Sequence, residues 1–149
     1  MRVLVNLAVA AGVALALAAA PAAAQVPDPF ARELAQKLAQ AQMPLTEEGY
    51  ARGAGPLAGG LRSGEQQQFT MMLRANQDFR IIGFCDSRCS GLDMRLDDST
   101  GAGIARAVAR SGGEEMYVRP RVTGRHVLDV TMENCAGDPC WFAFNVYTR

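Results

Sequence analysis

Four cysteines carry the most distinctive chemistry of this chain: Cys85 and Cys89 enclose "CDSRC", and Cys135 and Cys140 enclose "CAGDPC". Thiols so placed support three chemistries. Four thiolates can hold a tetrahedral zinc ion. A close pair can cycle between dithiol and disulfide, but the two-residue Cys-x-x-Cys spacing that tunes thiolate acidity is absent. In an oxidising compartment, near neighbours close as structural disulfides. The spacing favours this last reading, Cys85 with Cys89 and Cys135 with Cys140, because each pair brackets a short polar loop. Closing rings this small stabilises by about 2 kcal/mol each in the chain-entropy account, so their expected role is to shape loops.

The other candidates for chemistry are few. His126 is the only histidine, and it shares a strand face with Leu128, Val130 and Met132, which predicts a core imidazole held by one hydrogen bond. Ser63, Ser87, Ser90, Ser99 and Ser111 are expected in loops, and none stands in Gly-x-Ser-x-Gly. The acids of "CDSRCSGLDMRLDDSTG" raise calcium, yet the ordered Asp-x-Asp-x-Asp-Gly loop is missing. Arg95 lies between Asp93 and Asp97 on one face and neutralises them, while Asp97, Asp98 and Gly101 suit a turn. The reading therefore assigns no catalytic residue, no metal and no cofactor.

The compartment is read from the first 24 residues. Arg2 precedes "VLVNLAVAAGVALALAAA", and Ala22 to Ala24 meet the small-residue cleavage rule, which predicts an export leader cut before Gln25. Its removal leaves roughly 125 residues, enough for one domain with its own core. No later segment is apolar enough to span a bilayer, so the expected location is periplasmic or secreted, with no membrane span after cleavage. Charge is balanced at 15 Lys plus Arg against 15 Asp plus Glu. The nearest basic cluster, Arg119, Arg121 and Arg125 in "RPRVTGR", surrounds a turn and reads as solvated surface, which argues against a nucleic-acid partner.

The elements that must position these residues follow from periodicity. Residues 25–42 predict one amphipathic helix, capped by Asp28 with Pro29 in its first turn and with Phe30, Leu34 and Leu38 on one face. The Gly- and Pro-rich stretch 43–65 reads as a linker. From residue 66 the period becomes two. Phe69, Met71 and Leu73 share a side, as do Leu92, Met94 and Leu96, and Phe142, Phe144 and Val146. About seven short strands with regular turns predict a mainly β domain over 66–149, an antiparallel β-sandwich or jelly-roll-like fold.

"FRIIGFCDSRCSGLDMRLDDSTG" followed by "RPRVTGRHVLDVTMENCAGDPCWFAFNVY" resembles the bacterial pre-peptidase C-terminal domain family. Members show an apolar strand, a "DLDL"-like strand, an Asp-x-x-Gly-type turn and a "TG-aromatic-x-V-x-V" strand. The resemblance spans about residues 65–148 and leaves the helix unaccounted for. It implies a compact β-sandwich that accompanies secreted enzymes as a non-catalytic module. The chain departs from that pattern in its two cysteine pairs, in His126 where a larger aromatic is usual, and in having no enzyme domain within its 149 residues.

If successive strands reverse, both cysteine loops emerge at one end and the turn "ARSGGEE" joins them there. The expected rim comprises Asp86, Arg88, Arg110, Glu114, Glu133, Asn134 and Asp138. On the last strand Trp141, Asn145 and Tyr147 face away from the core. They form either a stripe for sugar rings or a partner protein, or the seat of the helix face Phe30, Leu34 and Leu38. The functional expectation is binding without chemistry, to a protein partner or an envelope polysaccharide. The alternatives are a small secreted hydrolase centred on His126 and a protease inhibitor presenting the Cys85–Cys89 loop with Arg88 as bait.

Overall fold

Alternation in the sequence becomes alternation in space. The computed structural model describes residues 25–110 and 113–149, with Arg110 described by its backbone alone; the expected leader, residues 1–24, and Ser111 and Gly112 of the rim turn lie outside them. One helix, α1 (Asp28–Glu47), precedes nine strands: β1 (Ala51–Leu61), β2 (Gln66–Leu73), β3 (Phe79–Cys85), β4 (Cys89–Asp97), β5 (Gly103–Arg106), β6 (Val108–Arg110), β7 (Gly113–Val118), β8 (Gly124–Cys135) and β9 (Cys140–Thr148). They form two antiparallel sheets, ordered β1-β9-β3-β7-β6 and β2-β8-β4-β5. The architecture is the expected β-sandwich.

The core lies between the sheets. Leu92, Met94 and Leu96 of β4 and Leu128, Val130 and Met132 of β8 face Ile81 of β3 and Phe142 and Phe144 of β9, all buried. Phe69 of β2 meets Phe142 and Phe144 edge-on, with ring centroids 6.0 and 4.9 Å apart, within the range that favours aromatic pairs. A second apolar layer lies outside the first sheet. There Leu34, Leu38 and Leu45 of α1 cover Ile82, Phe84, Ala143 and Tyr147, with Trp141 packed at its margin. Of the two expected fates for the aromatic stripe, the structure shows the covered one for Tyr147, under Leu34 and Leu38, whereas Trp141 stays half-buried and the expected third helix residue, Phe30, packs on Arg88 instead.

Three local expectations are corrected. Asp28 is not the cap: Pro27 precedes the helix, no side chain caps it, and Asp28 lies inside the first turn, where its charge suits the positive end of the helix dipole. The helix does not stop at residue 42 but runs through Pro44 to Glu47. Burial of Leu45 and Tyr50 against the sheet offsets the hydrogen bond that an internal proline removes.

The expected linker is mostly strand. β1 pairs with β9 from Ala51 opposite Thr148 to Leu61 opposite Cys140, with irregularities between Arg52 and Leu57. Its glycines are what the aromatics of β9 require. A Cβ on Gly59 would fall 2.9 Å from the Phe142 ring, and one on Gly60 would fall 2.8 Å from the Trp141 ring. Glycine marks the close approach of a neighbour, and proline is tolerated because β1 is an edge. The excess over seven strands comes from β1 and from "GIARAVAR", which divides at Ala107 into β5 in one sheet and β6 in the other.

Candidate functional site: the disulfide end

Both cysteine pairs are closed, Cys85 with Cys89 and Cys135 with Cys140, and no described cysteine is free. The two loops share one end of the sandwich. Cys89 stands opposite Cys135 across the β4–β8 ladder, and Cys85 opposite Phe142 beside Cys140. The β6–β7 hairpin reaches the same end, with Arg110 paired through its backbone to Gly113 and Glu114 opposite Gly83. The expectation drawn from strand reversal is met.

Asp86 organises this end from inside. Expected on the rim, it is 1 % exposed. Its Oδ1 accepts the Arg88 backbone N–H at 2.9 Å and Arg88 Nε at 3.1 Å, and its Oδ2 accepts Arg88 Nη2 at 2.8 Å and the Trp141 backbone N–H at 2.7 Å. Asp86 N–H in turn donates to Trp141 O at 2.8 Å. One carboxylate thus ties the first loop to the strand that leaves the second. Burial opposes ionisation, but the hydrogen bonds from Arg88 and Trp141 outweigh it and hold the Asp86 carboxyl below the ordinary aspartate value.

Arg88 is spent in the same network. Besides Asp86, Nη2 donates to Pro139 O at 3.0 Å, and the guanidinium stacks 4.0 Å from the Phe30 ring centroid. Gly137 leaves the space it occupies, since a Cβ there would lie 2.5 Å from Nη1. An inhibitor's bait side chain must project free, so the bait role expected for Arg88 is corrected to a framework role. Arg88 O also accepts the Ala136 N–H at 2.8 Å, a further tie between the loops.

Trp141 is half-buried at the margin of the helix layer, and Tyr147 is fully buried beneath α1, where its hydroxyl accepts Asn145 Nδ2 at 3.0 Å. Tyr147 therefore offers no ring face to solvent, and Trp141 is open only in part. What the rim exposes is Glu133, Asn134 and Asp138, with Asp138 paired to Arg62 at 2.7 Å. Glu114 sits at the wall of a cleft of about 220 Å³ floored by Gly83, Phe84 and both cysteines of the first loop. Burial, then the nearby Asp93 and Glu133, push its carboxyl above the ordinary glutamate value.

Sequence reasoning missed the supporting residues from other elements. Lys37 of α1 donates to Cys85 O at 2.8 Å and pairs with Glu33 at 2.7 Å, which fixes the helix to the first loop. Ser63 Oγ accepts the Cys135 N–H at 2.8 Å, which fixes the β1–β2 turn to the second. A Glu-x3-Lys pair was visible as a helix feature, but its reach to Cys85 was not. The aspartate two residues before Arg88 was a readable Asx-turn signal.

The remaining candidates resolve elsewhere. His126 is buried, and its Nδ1 lies 3.0 Å from Gly124 O, as the core reading expects. It borders a groove of about 650 Å³ at the opposite end, beside Tyr117 and Arg121. Asp93 pairs with Arg106 at 2.9 Å, and Asp97 with Arg95 at 3.1 Å. No helix among the described residues is long and apolar enough to cross a membrane.

No protein-family model and no curated protein matches the chain. Among solved structures it is similar to the pre-peptidase C-terminal domain of collagenase from Bacillus anthracis, at 15 % identity over 60 % of this chain and 85 % of that one, with a TM-score of 0.49. It is also similar to Aeromonas hydrophila PliG, a periplasmic lysozyme inhibitor of g-type lysozyme, at 16 % identity over 67 % of this chain and 86 % of that one, with a TM-score of 0.49. The first of these is a domain of the family that the sequence resembles.

Proposed function

We propose that the chain is an exported, non-catalytic binding module that engages a protein partner through the rim of its disulfide end. One observation carries the reading: two separate loops are joined through the Asp86 carboxylate into a single preorganised platform. Rigid loops on a sheet scaffold lose little conformational freedom on binding, and less ordering cost leaves more net affinity. The exposed groups there are charged and amide side chains, Glu133, Asn134, Asp138 and Arg62, which suit a polar protein surface. An envelope polysaccharide is the weaker occupant, because Tyr147, one of the two rings expected to stack on sugars, is fully buried under α1 and Trp141 is half-buried.

A hydrolytic role is disfavoured by the same geometry. His126 lies in the wall at the other end with one ring nitrogen committed to Gly124 O, and both cysteine pairs are oxidised. The test is capture of a partner from the cell envelope by the exported chain, run beside the rim variant Glu133→Lys/Asp138→Lys and the opposite-end variant Arg121→Glu. The expected result is loss of capture at least tenfold for the first and none for the second. Equal capture by all three, or a hydrolytic rate that vanishes in His126→Gln, overturns the reading.

A further inference from the structure

The four sheet edges of this sandwich are treated unequally. Sheet edges expose unpaired N–H and C=O groups, and proteins blunt them with proline, charge, irregularity or brevity. β1 carries Pro56 and irregular pairing between Arg52 and Leu57. β5 has four residues and ends in Arg106, and β6 has three and ends in Arg110. β2 has none of these devices. Its eight residues, "QQQFTMML", contain no charge, glycine or proline, and they pair one-to-one with β8 without a bulge. No described strand pairs with its outer side.

The backbone phase of that edge is defined. Met132 N–H donates to Glu65 O at 3.0 Å, and in an antiparallel ladder bonded pairs alternate along the register. Gln67, Phe69, Met71 and Leu73 therefore bond to β8, and the N–H and C=O groups of Gln66, Gln68, Thr70 and Met72 point outward from the sheet edge. The side chains agree with an incomplete edge. Phe69 and Met71 pack against the core but are only partly buried, and Met72 is 70 % exposed.

We propose that β2 pairs with β2 of a second copy of this chain, joining two four-stranded sheets into one of eight strands. A two-fold axis normal to the sheet through Phe69 places Gln66 against Met72 of the second copy and Gln68 against its Thr70. All four are positions with free backbone groups. On the core side the axis places Gln67 against Met71 and the two Phe69 rings against each other, extending the cluster that Phe69 forms with Phe142 and Phe144. The self-match supports a second copy as occupant: an uncharged strand has nothing to repel its own image, and facing positions share a sheet face throughout. The two disulfide ends then point in opposite directions.

The test is the solution mass of the exported chain across concentration by light scattering and sedimentation. The parent is expected to reach twice the single-chain mass at high concentration. Thr70→Pro removes an outward N–H but no bond to β8, and Met72→Lys brings charge to the edge; both are expected to remain monomeric and folded. Val122→Lys, at an exposed position of the opposite end, should dimerise like the parent. A parent chain that is monomeric at millimolar concentration, or a Thr70→Pro dimer of parental strength, overturns the proposal. So does a monomer whose β2 amide resonances shift only with an added extended peptide, because the edge then belongs to a different strand.

Discussion

Asp86 is the residue whose loss should reach furthest. A carboxylate buried against one guanidinium and two backbone N–H groups is costly to neutralise, because the donors and the guanidinium lose their partner together. Asp86→Asn keeps the shape and removes the charge. It is expected to lower stability by about 2–3 kcal/mol in chemical denaturation at neutral pH. Because the folded carboxyl titrates below its ordinary value, its contribution is complete above the unfolded value and fades as pH falls through the folded one. The gap between parent and Asp86→Asn should therefore close in strong acid. Glu114 has the opposite sign. Its raised carboxyl disfavours the folded state once pH climbs past the unfolded value, so Glu114→Gln should be modestly stabilising at neutral pH, by about 0.5 kcal/mol or less, and indifferent in acid.

At the scale of elements, β1 and α1 show how far local pattern reaches. β4, β8 and β9 were legible because alternate residues are apolar and the pleat sends them to one face; Leu92, Val130 and Phe144 sit where that rule places them. β1 was not legible, because its glycines answer to rings on another strand and composition alone reads them as a linker. The same logic makes Gly59→Ala costly, by about 1–3 kcal/mol in thermal or chemical unfolding, since the new methyl meets the core ring of Phe142. The fate of Tyr147 hung on whether the helix returned to the sheet, a long-range contact with no local signature. Leu38→Ala, which opens the layer above Tyr147, should cost about 2–4 kcal/mol. In the candidate site the cysteine pairing and the shared end were readable from spacing and strand reversal. The inward turn of Asp86 and Arg88 was not, because it depends on Phe30 of α1 and on Pro139 and Trp141 around the start of β9 arriving from two distant segments.

For the whole molecule, the disulfides close short rings at one end while the core lies along the full length of both sheets. Reduction is therefore expected to lower the melting temperature but leave a cooperative transition and the strand signature in circular dichroism, a loss of about 2 kcal/mol per bridge. Partner capture should fall further than stability does, because the clasped loops form the proposed contact. The course of α1 decides how such an assay is built. The helix starts beside Arg88 and finishes beside Arg149, whose Nη1 reaches Glu48 O at 3.1 Å. A tether fastened at Arg149 holds the far pole and presents the clasped loops to solution, whereas one fastened at Gln25 crowds them.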